Sequence, residues 1–126
     1  MSGGRDLKHY AEALIAFERA IQLNPDYAVA YNNKGRVLSR LKRYEEAILA
    51  YDQALRLDPT SAHIYNNKGV ALRNLGRNEE AVLIYEEAIR LNPNYALAYK
   101  NRGRSLNILK RDEEANKAFA KAKLLD

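Results

Sequence analysis

The chain has 126 residues, a net charge of +5 and no cysteine. Without cysteine it can form no disulfide, no thiolate nucleophile and no cysteine-based metal site. No apolar run reaches the length of a membrane span and no signal peptide follows Met1, so the sequence predicts a cytoplasmic protein that does not contact a membrane.

Apolar residues recur every three or four positions along the chain, which predicts helices and no strand. The small, polar stretch from Met1 to Gly4 is expected to be an expression remnant or a disordered lead. Proline ends every second helix, because the residue before a proline is pushed out of the α region. The seven predicted helices are 6–23, 28–41, 44–57, 62–75, 78–91, 96–109 and 112–125.

A pattern of residues returns every 34 positions. Pro25, Pro59 and Pro93 mark this step. The same step joins Tyr31, Tyr65 and Tyr99, Asn33, Asn67 and Asn101, and Gly35, Gly69 and Gly103. Agreement at so many positions in three registers indicates an internal repeat, and 34 residues is the period of a helix–turn–helix solenoid unit.

The repeat resembles the tetratricopeptide repeat family. The family's aromatic, Gly, large apolar, Ala, aromatic, Ala, Pro series is met in the middle copy by Tyr65, Gly69, Leu72, Ala81, Tyr85, Ala88 and Pro93. The resemblance implies an all-α fold, a right-handed α-solenoid of antiparallel helix pairs, as one repeat domain over residues 1–126. Its units are a half repeat at 5–27, repeats at 28–61 and 62–95, and a cap-like C-terminal repeat at 96–126.

Three features of the repeat are best explained by structure. Glycine inside a helix costs about 1 kcal/mol relative to alanine, so Gly35, Gly69 and Gly103 predict a close approach of the second helix. The consensus tyrosines are expected in the core. Paired acids such as Glu79 and Glu80 are expected in the first turn of the second helices, where they favour the positive end of the helix dipole.

Nothing in the sequence indicates catalysis. No nucleophile lies beside a base, no glycine-rich phosphate loop is present, and His9 and His63 lack a ligand pattern. We therefore predict a protein that is not an enzyme, with no cofactor and no metal site.

Charge divides between the two helices of each unit. The first helices and the turns after them carry lysine and arginine but no acid, whereas the acids lie elsewhere. In the tetratricopeptide repeat family the first helices line a concave groove, so the resemblance implies a basic groove. Its predicted peptide-binding residues are Asn32, Asn33, Arg36, Arg40, His63, Asn66, Asn67, Arg73, Lys100, Asn101 and Arg104.

These residues predict a protein–protein interaction module that takes an acidic segment, extended or short helical. Asn33, Asn67 and Asn101 resemble the asparagine ladder of the O-linked N-acetylglucosamine transferase repeats, whose amides hold peptide backbone. The dicarboxylate clamp of heat-shock co-chaperones is matched only at Asn67. Two alternatives stay open: a purely structural or oligomerisation scaffold, and an electrostatic nucleic-acid binder, which the net charge supports weakly.

The two ends differ from the interior repeats. Near the C-terminus, Ile48 and Val82 correspond to Asn116, and Leu49 and Leu83 correspond to Lys117, which predicts a polar cap. At the front, no first helix covers the apolar face of the leading helix. We expect an upstream segment or a second copy of the chain to cover this self-association face, which consists of Tyr10, Ala13, Phe17 and Ala20.

Overall fold

The computed structural model describes residues 2–126, with side chains from Asp6 onward. Over that range the chain forms seven helices and no strand, which confirms the predicted all-α class. The helices are α1 (Ser2–Leu23), α2 (Ala28–Arg40), α3 (Tyr44–Leu57), α4 (Ala62–Asn74), α5 (Asn78–Leu91), α6 (Ala96–Ile108) and α7 (Asp112–Leu125). The first helix of each pair ends one residue earlier than predicted.

The turn inside each helix pair is set by one residue in the left-handed conformation. These residues are Lys42, Gly76 and Lys110, with φ of 62°, 82° and 61°. After α2, the N–H of Arg43 donates to the carbonyl of Leu38 at 2.8 Å, and the N–H of Lys42 donates to Ser39 at 3.0 Å. This Schellman arrangement satisfies the last carbonyls of the helix and directs the chain back along it.

Each helix pair is held by a glycine of the first helix against an aromatic ring of the second. A β-carbon on Gly69 would lie 2.4 Å from Cε1 of Tyr85, closer than a real β-carbon approaches any atom. The other two contacts join Gly35 to Tyr51 and Gly103 to Phe119. The predicted close approach is therefore confirmed, and Tyr51 and Tyr85 are fully buried as predicted.

The helices divide into two compact units. The first holds α1, α2 and α3 and ends at Pro59; the second begins at Thr60 and holds α4 to α7. In the first unit α2 packs against α1 and α3. In the second unit α5 packs against α4 and α6, α6 packs against α7, and α4 also contacts α6.

The start of α1 departs from the prediction. Ser2, Gly3 and Gly4 belong to its first turn, so the expectation of disorder is wrong for them, while Met1 lies outside the described residues. Lys8 corresponds by the 34-residue step to the turn residue Lys42, yet it is helical. The turn depends on a first helix that packs back against the second. Where no described helix does so, extending a formed helix is easier than nucleating a new one.

The predicted C-terminal cap is supported at one set of positions and not at another. Val82 is buried against Leu106, while its counterpart Asn116 is exposed. Leu49 and Leu83, however, are 67% and 64% exposed. Exposure of this extent gives these two positions no visible role in the packing, and the cap stays a prediction.

Candidate functional site

The predicted ligand residues of the first unit lie on α2. Arg36 and Arg40 are exposed, Asn33 is half-buried and Asn32 is buried. Because Arg36 and Arg40 are four residues apart, they lie on one side of the helix, about 6 Å apart along its axis. We call Asn33, Arg36 and Arg40 the α2 face.

Several other basic residues pair with acids. Lys34 on α2 lies 3.6 Å from Glu18 on α1, and its counterpart Arg102 on α6 donates to Glu86 on α5 at 2.8 Å. Each arginine that follows a turn pairs with a glutamate three residues later. These pairs are Arg43 with Glu46, Arg77 with Glu80, and Arg111 with Glu114. The glutamates lie in the first turns of α3, α5 and α7, as predicted.

Two of these pairs lower the pKa of the glutamate. A hydrogen bond from Arg77 lowers the pKa of Glu80, and a hydrogen bond from Arg111 lowers the pKa of Glu114. Both carboxylates are exposed at the surface, where solvent screening leaves such pairs little effect on stability. The lowered pKa values keep both glutamates charged and paired with their own arginines. These acids are therefore not available to pair with the remaining basic residues.

Four exposed basic residues of the first helices have no acidic partner among the described residues. Within the part of the chain that the structure describes, no carboxylate lies within ion-pair distance of Arg36, Arg40, Lys100 or Arg104. All four are exposed. They also belong to the set predicted to line the groove, so these cations remain open to an acidic ligand.

In the second unit the predicted residues lie on α4 and α6. Lys100 and Arg104 share one side of α6 with the exposed apolar residues Leu97 and Ile108, since all four are spaced by three or four positions. On α4, His63 is exposed and Asn67 is half-buried. We call His63, Asn67, Lys100 and Arg104 the α4–α6 face.

Hydrogen bonds join polar residues where α4 meets α6. Nδ2 of Asn101 donates to Oδ1 of Asn66 at 3.0 Å, and Nη1 of Arg73 donates to Oδ1 of Asn101 at 3.4 Å. Asn66 and Asn101 are buried, and Asn101 is only 3% exposed. The amide of Asn101 therefore serves the interior of this unit, whereas Asn33 and Asn67 are both half-buried.

His63 connects this region to a residue that the sequence analysis did not single out. Nε2 of His63 lies 3.5 Å from Nδ2 of Asn67, and Nδ1 lies 3.3 Å from the Tyr95 hydroxyl. In the tautomer whose Nε2 accepts from the Asn67 amide, Nδ1 carries the proton and donates to the Tyr95 hydroxyl. Burial raises the pKa of Tyr95, and a hydrogen bond with Asn66 partly opposes the rise. Tyr95 lies directly before the first helix α6, and this position was the sequence signal that could have indicated its role.

A cavity of about 310 Å³ opens between α1 and α2. The residues that line it are Tyr10, Phe17, Asn33, Arg36, Val37 and Arg40. Tyr10 and Phe17 were predicted on the self-association face, and Asn33, Arg36 and Arg40 in the groove. The structure brings these two predicted sites together, with Val37 as an unpredicted wall residue, and we call the feature the α1–α2 cavity.

Two other kinds of site are absent from the described residues. Among the described residues, no helix combines the length and the apolar character needed to cross a bilayer. Nor do three or more histidine, aspartate or glutamate side chains within that part of the chain come together as a metal site would require.

The repeat pattern, the helix pairs and the glycine–aromatic contacts define a helical repeat protein. A family model described as "TPR repeat" matches residues 35–76, and two described as "Tetratricopeptide repeat" match residues 16–49 and 62–95. The chain belongs to the tetratricopeptide repeat family.

Solved structures of the same fold include MamA proteins and a TPR domain with a bound peptide. A crystal structure of MamA is 25% identical with a TM-score of 0.88, and the alignment covers 96% of this chain and 71% of MamA. MamA from Desulfovibrio magneticus RS-1 is 23% identical with a TM-score of 0.87, covering 96% and 68%, and shows the fold alone.

A third structure holds a ligand. The second TPR of Spaghetti (RPAP3), bound to the HSP90 peptide SRMEEVD, is 27% identical with a TM-score of 0.77. The alignment covers 85% of this chain and 99% of that one. No curated protein matches the chain by sequence.

Proposed function

We propose that this chain is a non-catalytic protein–protein interaction module that binds an acidic peptide segment, extended or short helical, on its first helices. The observation that carries this proposal is the separation of its charges. Lys34, Arg102 and the arginines that follow the turns are paired with glutamates, whereas Arg36, Arg40, Lys100 and Arg104 are exposed without one in the described part of the chain. An acidic partner would supply the missing carboxylates.

The similar structure with a bound peptide supports a ligand of this kind. The peptide SRMEEVD carries two glutamates and one aspartate, and the protein that holds it shares this fold. This chain departs from the dicarboxylate clamp at Asn32, Arg36, Leu97 and Asn101. We therefore expect it to recognise acidic character with less dependence on a terminal carboxylate.

The peptide backbone is the second element of the proposal. The half-buried amides of Asn33 and Asn67 can accept from and donate to an extended chain whatever its side chains are. Asn101 is already bonded to Asn66 and Arg73, so we assign it a supporting role in this arrangement.

The proposal is tested by titration with SRMEEVD and with a neutral version in which its acids are replaced by their amides. We expect the acidic peptide to bind and to weaken steeply as salt rises, because salt screens exposed charges beyond about 8–10 Å. Arg36→Gln with Arg104→Gln should remove most of this binding. The matched control, Arg43→Gln with Arg111→Gln, lowers the net charge equally at paired positions and should change it little.

Equal binding of the acidic and neutral peptides would contradict the proposal, as would equal losses in the two double variants. Single-stranded RNA added as a competitor separates a nucleic-acid binder from a peptide binder. If RNA binds in preference to every acidic peptide, the chain belongs to the electrostatic alternative.

A second candidate function is weak self-association through the N-terminal helix. Tyr10, Ala13, Phe17 and Ala20 are half-buried, although the counterparts of Phe17 at Tyr51 and Tyr85 are fully buried. Covering an aromatic side chain of this size contributes roughly 1.5–3 kcal/mol. Light scattering should then show a concentration-dependent dimer that Phe17→Glu disperses, and a chain that stays monomeric at millimolar concentration would exclude it.

A further inference from the structure

The α1–α2 cavity exists because the two units cover corresponding aromatic residues differently. In the second unit α4 packs on α5, and Tyr85 is completely buried beneath Gly69. Phe17 is the counterpart of Tyr85 on α1, but no helix among the described residues of the first unit lies over it in that way. Phe17 is therefore only half-buried and forms a wall of the cavity.

The lining of the cavity combines two chemistries. Phe17, Tyr10 and Val37 provide apolar surface, while Arg36 and Arg40 bring two guanidinium groups. No carboxylate is among the lining residues, and neither arginine has one within ion-pair distance in the described part of the chain. A matching ligand must therefore bring both an apolar side chain and negative charge.

The dimensions fit part of a peptide better than a whole small molecule. About 310 Å³ lies at the small end of ligand pockets, enough for one large side chain. Arg36 and Arg40 rise about 6 Å along α2, which is close to the spacing of side chains two residues apart on an extended strand. Both arginines can thus meet acids on the same side of an extended ligand, beside the half-buried amide of Asn33.

We propose that the α1–α2 cavity is an anchor site for one large apolar side chain of the peptide ligand, flanked by acidic residues that pair with Arg36 and Arg40. The inference rests on the proposed function and adds the requirement for the apolar residue. In this arrangement Phe17 contacts the ligand, and α1 contributes to binding together with α2.

A peptide fits this cavity better than a second copy of the chain. A twofold interface opposes the same surface on both copies, so it would bring Arg36 and Arg40 of one copy towards those of the other. The cavity lining offers no carboxylate to offset that repulsion. An acidic peptide supplies the opposite charge and fills the apolar space at once.

The test uses four nine-residue peptides, labelled for fluorescence anisotropy and measured against the full chain. Each has a central residue flanked on both sides by two identical residues and by Gly-Ser ends; the centre is phenylalanine or serine, and the flanks are aspartate or asparagine. We expect the phenylalanine–aspartate peptide to bind roughly ten- to a hundredfold more tightly than the serine–aspartate peptide, the range expected for burying one large apolar side chain.

Variants of the chain then test whether Phe17 causes the preference for phenylalanine in the peptide. Phe17→Ser should reduce the preference for phenylalanine over serine to less than about threefold, while binding of the aspartate peptides persists. Phe17→Tyr places at this position the residue found at Tyr51 and Tyr85, and should keep the preference. Leu83→Ser alters an apolar residue on α5 that is 64% exposed and lies outside the cavity lining, and it should leave the preference unchanged. Circular dichroism melting confirms that each variant is folded.

The outcomes separate this inference from the proposed function. If aspartate peptides bind but phenylalanine gives no advantage, or if Phe17→Ser leaves the advantage intact, the anchor site is wrong and the proposed function stands. If no aspartate peptide binds better than its asparagine counterpart, the proposed function itself fails. If light scattering shows a dimer that Phe17→Ser disperses and that saturating phenylalanine–aspartate peptide does not, a second copy occupies the cavity and the anchor site is overturned.

Discussion

The two units of the molecule place corresponding residues in different surroundings. Ala81, Tyr85 and Ala88 of α5 are completely buried, because α4 packs over them. Their counterparts Ala13, Phe17 and Ala20 on α1 are all half-buried. The residue types at these positions are alike, so what differs is the neighbour. In a repeat protein each repeat packs against the helices beside it. A second helix that no described first helix covers therefore presents its core positions as a surface.

This comparison predicts a large difference between two aromatic truncations. Tyr85→Ala should lower the free energy of unfolding by about 3–5 kcal/mol, the usual loss for a large aromatic side chain in a core. Phe17→Ala should lower it by less, about 1–2 kcal/mol, since the ring is only half-buried. Urea denaturation of the two variants measures both values. Similar losses would show that Phe17 is held as firmly as Tyr85.

Substitution of Gly69, which packs against the Tyr85 ring, should give the next largest loss of stability. Gly69→Leu should destabilise the chain by about 2–3 kcal/mol, because the added side chain must enter space that the Tyr85 ring occupies. As a control, Gly76→Ala adds a β-carbon with no atom within 4 Å, and only its φ of 82° opposes the change, at roughly 1 kcal/mol. An unchanged melting temperature for Gly69→Leu would refute the glycine–aromatic packing.

Alkaline pH should act on the buried tyrosine of the second unit. Burial raises the pKa of Tyr85 to about 12, above its value near 10 in the unfolded chain. The folded state thus keeps a proton that the unfolded state loses, so this stability is present below pH 10 and disappears as the pH rises towards 12. Denaturation at a series of pH values should show a smaller alkaline loss for Tyr85→Phe than for the wild-type chain. The burial-raised pKa of Tyr51 leaves part of the loss in both.

At neutral pH the same two tyrosines should respond in opposite directions. The hydroxyl of Tyr85 is buried without a hydrogen-bond partner among the described residues, whereas the hydroxyl of Tyr51 lies 3.4 Å from Oγ of Ser39. Tyr85→Phe should raise the free energy of unfolding by about 1 kcal/mol, and Tyr51→Phe should lower it by about 0.5–1 kcal/mol. Destabilisation by Tyr85→Phe would mean that its hydroxyl has a partner.

Substitutions in the turns should give the smallest change in stability. The turn residues of the two units also have the same backbone conformation. Lys42 in the first unit and Lys110 in the second hold the left-handed conformation that glycine holds at Gly76. Changing either lysine to glycine should stabilise the chain by about 0.5–1 kcal/mol, because glycine adopts this conformation without steric strain. Lys100→Gly, inside α6, is the control and should destabilise by about 1 kcal/mol. A loss of stability at both turns would contradict the account of the Schellman motif.

The local features of the fold could be predicted from sequence because their causes are local. Proline closes the second helices, the 34-residue step fixes the register, and a glycine within a first helix signals the ring that it faces. The start of α1 could not be predicted in this way. Lys8 stands in the register of a turn, yet it is helical because nothing described packs back on it.

The candidate site shows the same limit. The charge pattern along the chain predicts which helices are basic, but which cations stay unpaired depends on where each side chain points. Lys34 reaches Glu18 across helices, whereas Arg36, two residues later, reaches no carboxylate among the described residues. Asn101 has the same type and register as Asn33, but Asn66 and Arg73 draw it into the interior. Such differences arise from tertiary contacts, which the repeat register does not contain.

We expect the unpaired cations of the first helices to bind an acidic ligand. NMR titration of the isotopically labelled chain with SRMEEVD can show where the peptide binds, because every backbone amide gives its own signal. Saturable chemical-shift changes should concentrate on α2 and α6, around Arg36 and Arg104, with little change on α3, α5 and α7. Shifts centred on the second helices, or no shifts at saturating peptide and low salt, would contradict it.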